Sequence, residues 1–229
     1  NFSQFAAAGT YTDAEGNIHN FADMAMAQIT ASVEVFVKRD ADGKIVGGLL
    51  QVDNVIQILG AGSGTDFLVN ASLQALASMT SEVAANLQSF LDAGPQYFEQ
   101  AVNLIETALV GMGALGTNEA LNAIISAGGQ SVVVTTMASL TKVINSVVNA
   151  MDILQSNNID VGGMLRTSGS LDAINNIMTA VGSSSAFNST HKTMVVASSA
   201  SVMENLINSG VLTQSEQAKL TASFQSLLK

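Results

Sequence analysis

Three glycines spaced two apart, Gly60, Gly62 and Gly64, are the residues in this chain whose types and spacing come nearest to a binding chemistry. They follow the apolar run Val55-Ile56-Gln57-Ile58-Leu59 and precede a helical pattern that opens near Asp66. A glycine-rich turn in that position lets the backbone approach a phosphate, and the helix start behind it favours negative groups. A dinucleotide site also places an acidic residue about 20 positions on, at the end of a second strand. Glu82 lies near that distance but inside a helical pattern, and no later βα alternation follows. A flexible link between two parts of the chain explains the same glycines. Gly60, Gly62 and Gly64 therefore stand as candidate cofactor-binding positions, with no cofactor expected.

The run and its turn resemble the first motif of nucleotide-cofactor folds, including Rossmann methyltransferases, over residues 55–65. A second possible chemistry is calcium binding, because Asp13-Ala14-Glu15-Gly16 and Asp40-Ala41-Asp42-Gly43 resemble the middle of an EF-hand loop. Aligning Asp40, Asp42 and Gly43 with that loop leaves Lys38 at its first position and Leu49 at its twelfth, where carboxylates are required. The first copy has Tyr11 and Ala22 there, so both read as hairpin turns and no metal site is expected. His19 and His191 are the only imidazoles, and no G-x-S-x-G, H-E-x-x-H or P-loop pattern surrounds them or occurs elsewhere. No catalytic set is expected. Asn1, Asn70 and Asn188 begin triplets of the N-glycosylation pattern, and Asn188, in a polar loop, is the glycosylation candidate.

Composition narrows the classes further. The 229 residues are 48% hydrophobic but only 11% charged, so the surface must be covered by Ser, Thr, Asn, Gln and Gly. Eighteen carboxylates against eight Lys plus Arg give a formal net charge of −10, which argues against a nucleic-acid partner. Cysteine is absent, which excludes disulfides, thiol catalysis and thiolate-bound zinc. The chain opens on Asn1 rather than Met, which fits a removed leader or an excised piece of a longer protein. The nearest apolar run to a membrane span, residues 120–140, is interrupted by Gly128-Gly129, so no span is expected.

The element around which the chain is organised is residues 131–154. Val133, Met137, Leu140, Ile144, Val147, Met151 and Leu154 recur at steps of three and four, which places them on one face of a helix. Val69, Leu73, Leu76, Val83, Leu87 and Phe90 predict an earlier helix of about 25 residues, stopped by Gly94. Pro95 suits the first turn of the next, whose stripe is Phe98, Ala101, Ile105, Ala108 and Met112. Further helices are expected over 118–127, 170–181 and 193–209, with a polar loop at 183–191. Thr213 and Glu216 have the spacing of a capping box for the last helix. Ahead of these, the alternation of 31–38 and the run 45–52 about the second Asp/Gly turn predict a β-hairpin. A similar hairpin is expected between 9–12 and 17–21. Leu121-Asn122-Ala123-Ile124-Ile125 and Leu171-Asp172-Ala173-Ile174-Asn175 suggest an internal duplication.

The expected fold is mainly α: about six or seven helices with an N-terminal β-hairpin element. Residues 1–59 would form the hairpin-rich part and 66–229 the helical domain, or 1–229 one continuous domain. Residues 195–228, VVASSASVMENLINSGVLTQSEQAKLTASFQSLL, resemble the helical repeat domains of spider silk proteins, the aciniform and tubuliform types. The resemblance implies a helical module stored in a gland and assembled into fibre. The function expected is thus that of a secreted, non-enzymatic structural domain that associates with itself. The alternatives are a bacterial exported surface or matrix protein, and a small-molecule or nucleotide-cofactor binder using residues 60–64.

Overall fold

The computed structural model of the chain describes residues 9–34, 37–43, 45–48, 52–61 and 65–229. The protein is mainly helical, with two small antiparallel hairpins near its N-terminus. The first hairpin joins β1 (Thr10–Thr12) to β2 (Ile18–Asn20), with Tyr11 opposite His19. The second joins β3 (Val37–Arg39) to β4 (Ile45–Gly48). Their shared Asp-x-x-Gly sequence produces the same turn twice. Asp13 Oδ1 accepts from the Glu15 amide and Asp40 Oδ1 from the Asp42 amide, while Gly16 and Gly43 take φ of +86° and +78°. A side-chain oxygen that caps the turn and a glycine in the left-handed region are the two requirements of such a turn.

The strand expected over 31–38, the first of the second hairpin, fails over its first half. Residues 31–34 end a helix, α1 (Phe21–Glu34), which buries Ala22, Ala25, Met26, Ile29 and Val33. That spacing of three and four is helical, and burying this face outweighs the strand preference of the valines. The apolar run ahead of Gly60 is likewise helical, as α2 (Val52–Gly60).

Ten further helices follow: α3 (Thr65–Ala85), α4 (Leu87–Ala93), α5 (Pro95–Leu115), α6 (Asn118–Ser126), α7 (Gln130–Asn149), α8 (Met151–Ser156), α9 (Val161–Thr167), α10 (Ser170–Ser183), α11 (Ser189–Ser209) and α12 (Gln214–Leu227). The described residues thus hold twelve helices rather than six or seven. The excess comes from short helices the stripes do not announce, and from two long stripes each broken into two helices. One break is at Asn86, the other at Ala150, whose φ of −93° and ψ of 10° leave the helical region. The polar loop is shorter than expected, because Asn188 caps α11, which starts at Ser189, four residues before the expected start at 193.

The core is organised around α7. Val133, Met137, Leu140, Ile144 and Val147 are all fully buried, as is Leu154 beyond the break. α7 packs against α3, α5, α6, α9, α10 and α11. Ser131 near its start donates to Asp66 near the start of α3, and Lys142 in its middle reaches Ser78 in the middle of α3. Thr141 and Asn145 meet Ser198 and Ser201 of α11 in the same rising order. α3, α7 and α11 therefore run parallel, which requires the intervening helices as crossovers. Within the core, Thr80 and Thr136 satisfy their hydroxyls on the carbonyls four residues back. Among the described residues α7 is the one helix long and apolar enough to cross a membrane, and 67% of that window is buried inside the protein.

Candidate functional site

Among the described residues four groups of polar or charged side chains stand out. The first closes the β1–β2 hairpin. Strand pairing puts Tyr11 and His19 on one face, where their rings stack at 4.8 Å. His19 Nε2 lies 2.7 Å from Asp13 Oδ2, and Asp13 also accepts from the backbone and side chain of Asn17. These hydrogen bonds, that of His19 foremost, lower the Asp13 carboxyl to about 2. A carboxylate beside an imidazole can orient a general base. Here all the hydrogen-bond partners come from the hairpin itself, which is the geometry of a clip that holds it shut.

The second cluster ties that hairpin to the helices. Tyr97, at the start of α5 and nearly buried, donates its hydroxyl to Asp23 of α1 at 2.6 Å and accepts from Asn20 Nδ2 at 3.2 Å. The hydrogen bond to Asp23, helped by burial, holds the phenol above its usual range.

The third cluster holds the C-terminal helix. Arg166 on α9 makes a forked contact with Glu216 on α12, Nε to Oε1 at 2.8 Å and Nη2 to Oε2 at 3.3 Å, and donates to the Val211 carbonyl. Glu216 also accepts from the Thr213 amide and hydroxyl, completing the capping box that the sequence predicts. Paired with a guanidinium and a backbone amide, its carboxyl falls to about 2. Lys219 to Asp172 at 2.7 Å, and Ser223 to Asn175, continue the seam between α12 and α10.

The fourth is a groove of about 370 Å³ along α5. Its lining is apolar at Leu91, Phe98, Val102 and Ile159 and polar at Glu99, Asn103, Glu106 and Asn157. Sequence reasoning missed this groove and the Arg166–Glu216 pair. The groove had a signal in the charge map. Between Lys44 and Lys142 stand Asp53, Asp66, Glu82, Asp92, Glu99, Glu106 and Glu119, with no Lys or Arg among them. Arg166 and Glu216 lie fifty residues apart, and no local pattern links them.

The positions singled out from sequence do not converge. Gly60 ends α2, where an added Cβ would meet nothing within 4 Å, and the run before it is helix instead of the strand a cofactor cradle needs. Gly62 and Gly64 lie outside the described residues. Asn188 is exposed and caps α11, its Oδ1 accepting from the His191 amide at 2.9 Å. Asn70 is half-buried in α3 and bonded to Ser131, and Asn1 lies outside the described residues. His191 rests edge-on against Phe187. Among the described residues no three His, Cys, Asp or Glu side chains are grouped to hold a metal ion. Comparison with known proteins finds no matching family model, no matching curated protein and no matching solved structure.

Proposed function

We propose that this chain is a non-enzymatic, extracellular structural domain that associates with copies of itself in a fibre or matrix. The observation that carries this reading is the partition of its charge. The stretch 45–141 holds seven carboxylates and no cation, whereas 142–229 balances Lys142, Arg166, Lys192, Lys219 and Lys229 against Asp152, Asp160, Asp172, Glu204 and Glu216. The ion pairs Arg166–Glu216 and Lys219–Asp172, which join helices, both fall in the balanced part. The carboxylates of 45–141 therefore add uncompensated negative charge to a body otherwise rich in Ser, Thr and Asn.

At neutral pH that repulsion keeps copies apart. Acid moving towards the sequence pI of 4.3, or salt screening over a Debye length of about 8 Å, removes it without altering the helical core. Sedimentation velocity from about pH 7 to about pH 5, with circular dichroism alongside, tests the reading. A discrete, reversible oligomer that forms while helicity is unchanged supports it. A monomer that persists to about pH 5, or association only after helicity is lost, rejects it.

A further inference from the structure

The three long parallel helices form a layer with two open edges. α3 and α11 each pack on α7 but meet different residues of it, and Ala138 of α7 stays exposed between them. α7 is therefore the middle of the layer, and α3 and α11 are its edges. The pairs Asp66–Ser131 and Ser78–Lys142 are 65 and 64 residues apart, and α3 and α7 start 65 apart, so their starts are level. Thr141–Ser198 and Asn145–Ser201 are 57 and 56 apart, and α7 and α11 start 59 apart, so this step is level to within one turn. Leu68, Ala75 and Met79 lie about 150° around α3 from Asp66, Asn70 and Ser78, which meet α7. Val196, Ala200 and Ile207 lie likewise about 150° around α11 from Ser198 and Ser201. Leu68 is 58% and Ile207 42% exposed, Ala75 and Ala200 are exposed, and Met79 and Val196 are half-buried against the core. Each edge is thus an uncharged, apolar helix side turned away from its one neighbour in the layer.

We propose that the two edges cover each other between copies: α11 of one molecule lies beside α3 of the next, parallel to it, and continues the layer. This rests on copies associating with one another, and it names the surfaces they use. The occupant is a second copy because α11 lacks a long parallel helix starting level with it on its outer side. α3 of another copy supplies one, as α7 does within the molecule. Level starts set Ser189 beside Thr65 and bring Ala200 beside Ala75. Two alanines let the helix axes approach to about 8 Å, while Leu68, Met79, Val196 and Ile207 leave water around that contact. Because the two edges differ, the contact is head-to-tail and repeats into a ring or a fibre rather than closing as a dimer.

Sedimentation velocity at about pH 5 tests the edges one at a time. Ala75→Arg and Ala200→Arg each set a bulky side chain, charged at that pH, at an exposed position of one edge. Unchanged circular dichroism checks that both variants fold. Each variant alone should stay monomeric, because every contact then meets one arginine. Mixed in equal amounts they should stop at a one-to-one dimer, since each retains one unaltered edge. The chain has no cysteine, so a disulfide can report the register. Ala200→Cys, activated as a pyridyl disulfide, should couple to Ala75→Cys about tenfold faster or more than to Ala200→Cys. Either arginine variant associating as the wild type does, a mixture that stays monomeric or grows past a dimer, or equally fast coupling between two Ala200→Cys copies would overturn the proposal. A wild type that associates while the variants give any of these results keeps self-association and moves it to another surface. A wild type that stays monomeric removes both.

Discussion

Two glycines on α5 should respond to alanine with opposite sign. A Cβ added at Gly113 lands against the carbonyl oxygen of Ser168 and 3.4 Å from the carbonyl carbon of Gly169, at the link between α9 and α10. Those atoms are backbone and cannot turn aside as a side chain would, so α5 and the α9–α10 link must part. Overpacking of this kind costs about 1–3 kcal/mol. The gain in helix propensity from Gly to Ala returns about 1 kcal/mol at most, which leaves a net loss of up to about 2 kcal/mol. At Gly111, two residues earlier on the same helix, an added Cβ meets nothing within 4 Å. Gly111→Ala should therefore gain about 1 kcal/mol. The propensity gain is common to both, so the two variants should differ by the overpacking cost, about 1–3 kcal/mol, or about 2–12 °C in Tm for a chain of this length. Urea and thermal unfolding followed by circular dichroism measure both, with equal m-values as the check that unfolding exposes the same surface. If Gly113→Ala melts at or above the temperature of Gly111→Ala, the close approach of α5 to the Ser168 carbonyl is wrong.

Ile144→Asp places a carboxylate in the fully buried face of α7 and should destabilise by more than about 4 kcal/mol, while Asn149→Asp at its exposed end should change little; comparable melting temperatures would remove the central role of α7. Thr213→Ala removes the side-chain cap of α12 and Asn188→Ala that of α11, each worth about 1 kcal/mol by urea denaturation. Glu216 titrates lower in the folded protein than unfolded, so its pairing stabilises above the ordinary carboxylate pKa of 4.5 and is lost as pH falls from there to about 2. Because the Arg166 side chain is 39% exposed, solvent screening limits this to about 1 kcal/mol, and Glu216→Gln should flatten that part of the stability-against-pH curve. The Asp13 carboxyl should titrate near 2 by 13C NMR, and His19→Gln should raise it; an unchanged value would remove the clip.

Features that neighbours in the chain enforce are legible in the residues alone. The step of three and four from Val133 to Val147 predicts the buried face of α7, and all five side chains are fully buried. Pro95 at the first turn of α5, Thr213 and Glu216 as a capping box, and Gly16 and Gly43 in the left-handed region are each settled by atoms within about four residues. The rest depends on contacts between distant segments. Met151 and Leu154 continue the α7 stripe by spacing, yet the helix breaks at Ala150, beside the break of α3 at Asn86, where residues of both segments line one surface depression. Val33 belongs to an alternating run that reads as strand, but the α1 face that packs on α5 made it helix. The parallel course of α3, α7 and α11 left no local trace, because it depends on which stripes bury one another across crossovers of many residues. The same holds for the pairing of Arg166 with Glu216 and for the groove over Phe98 and Val102. A periodic pattern records that a face is buried; which surface covers it is fixed only when distant segments meet.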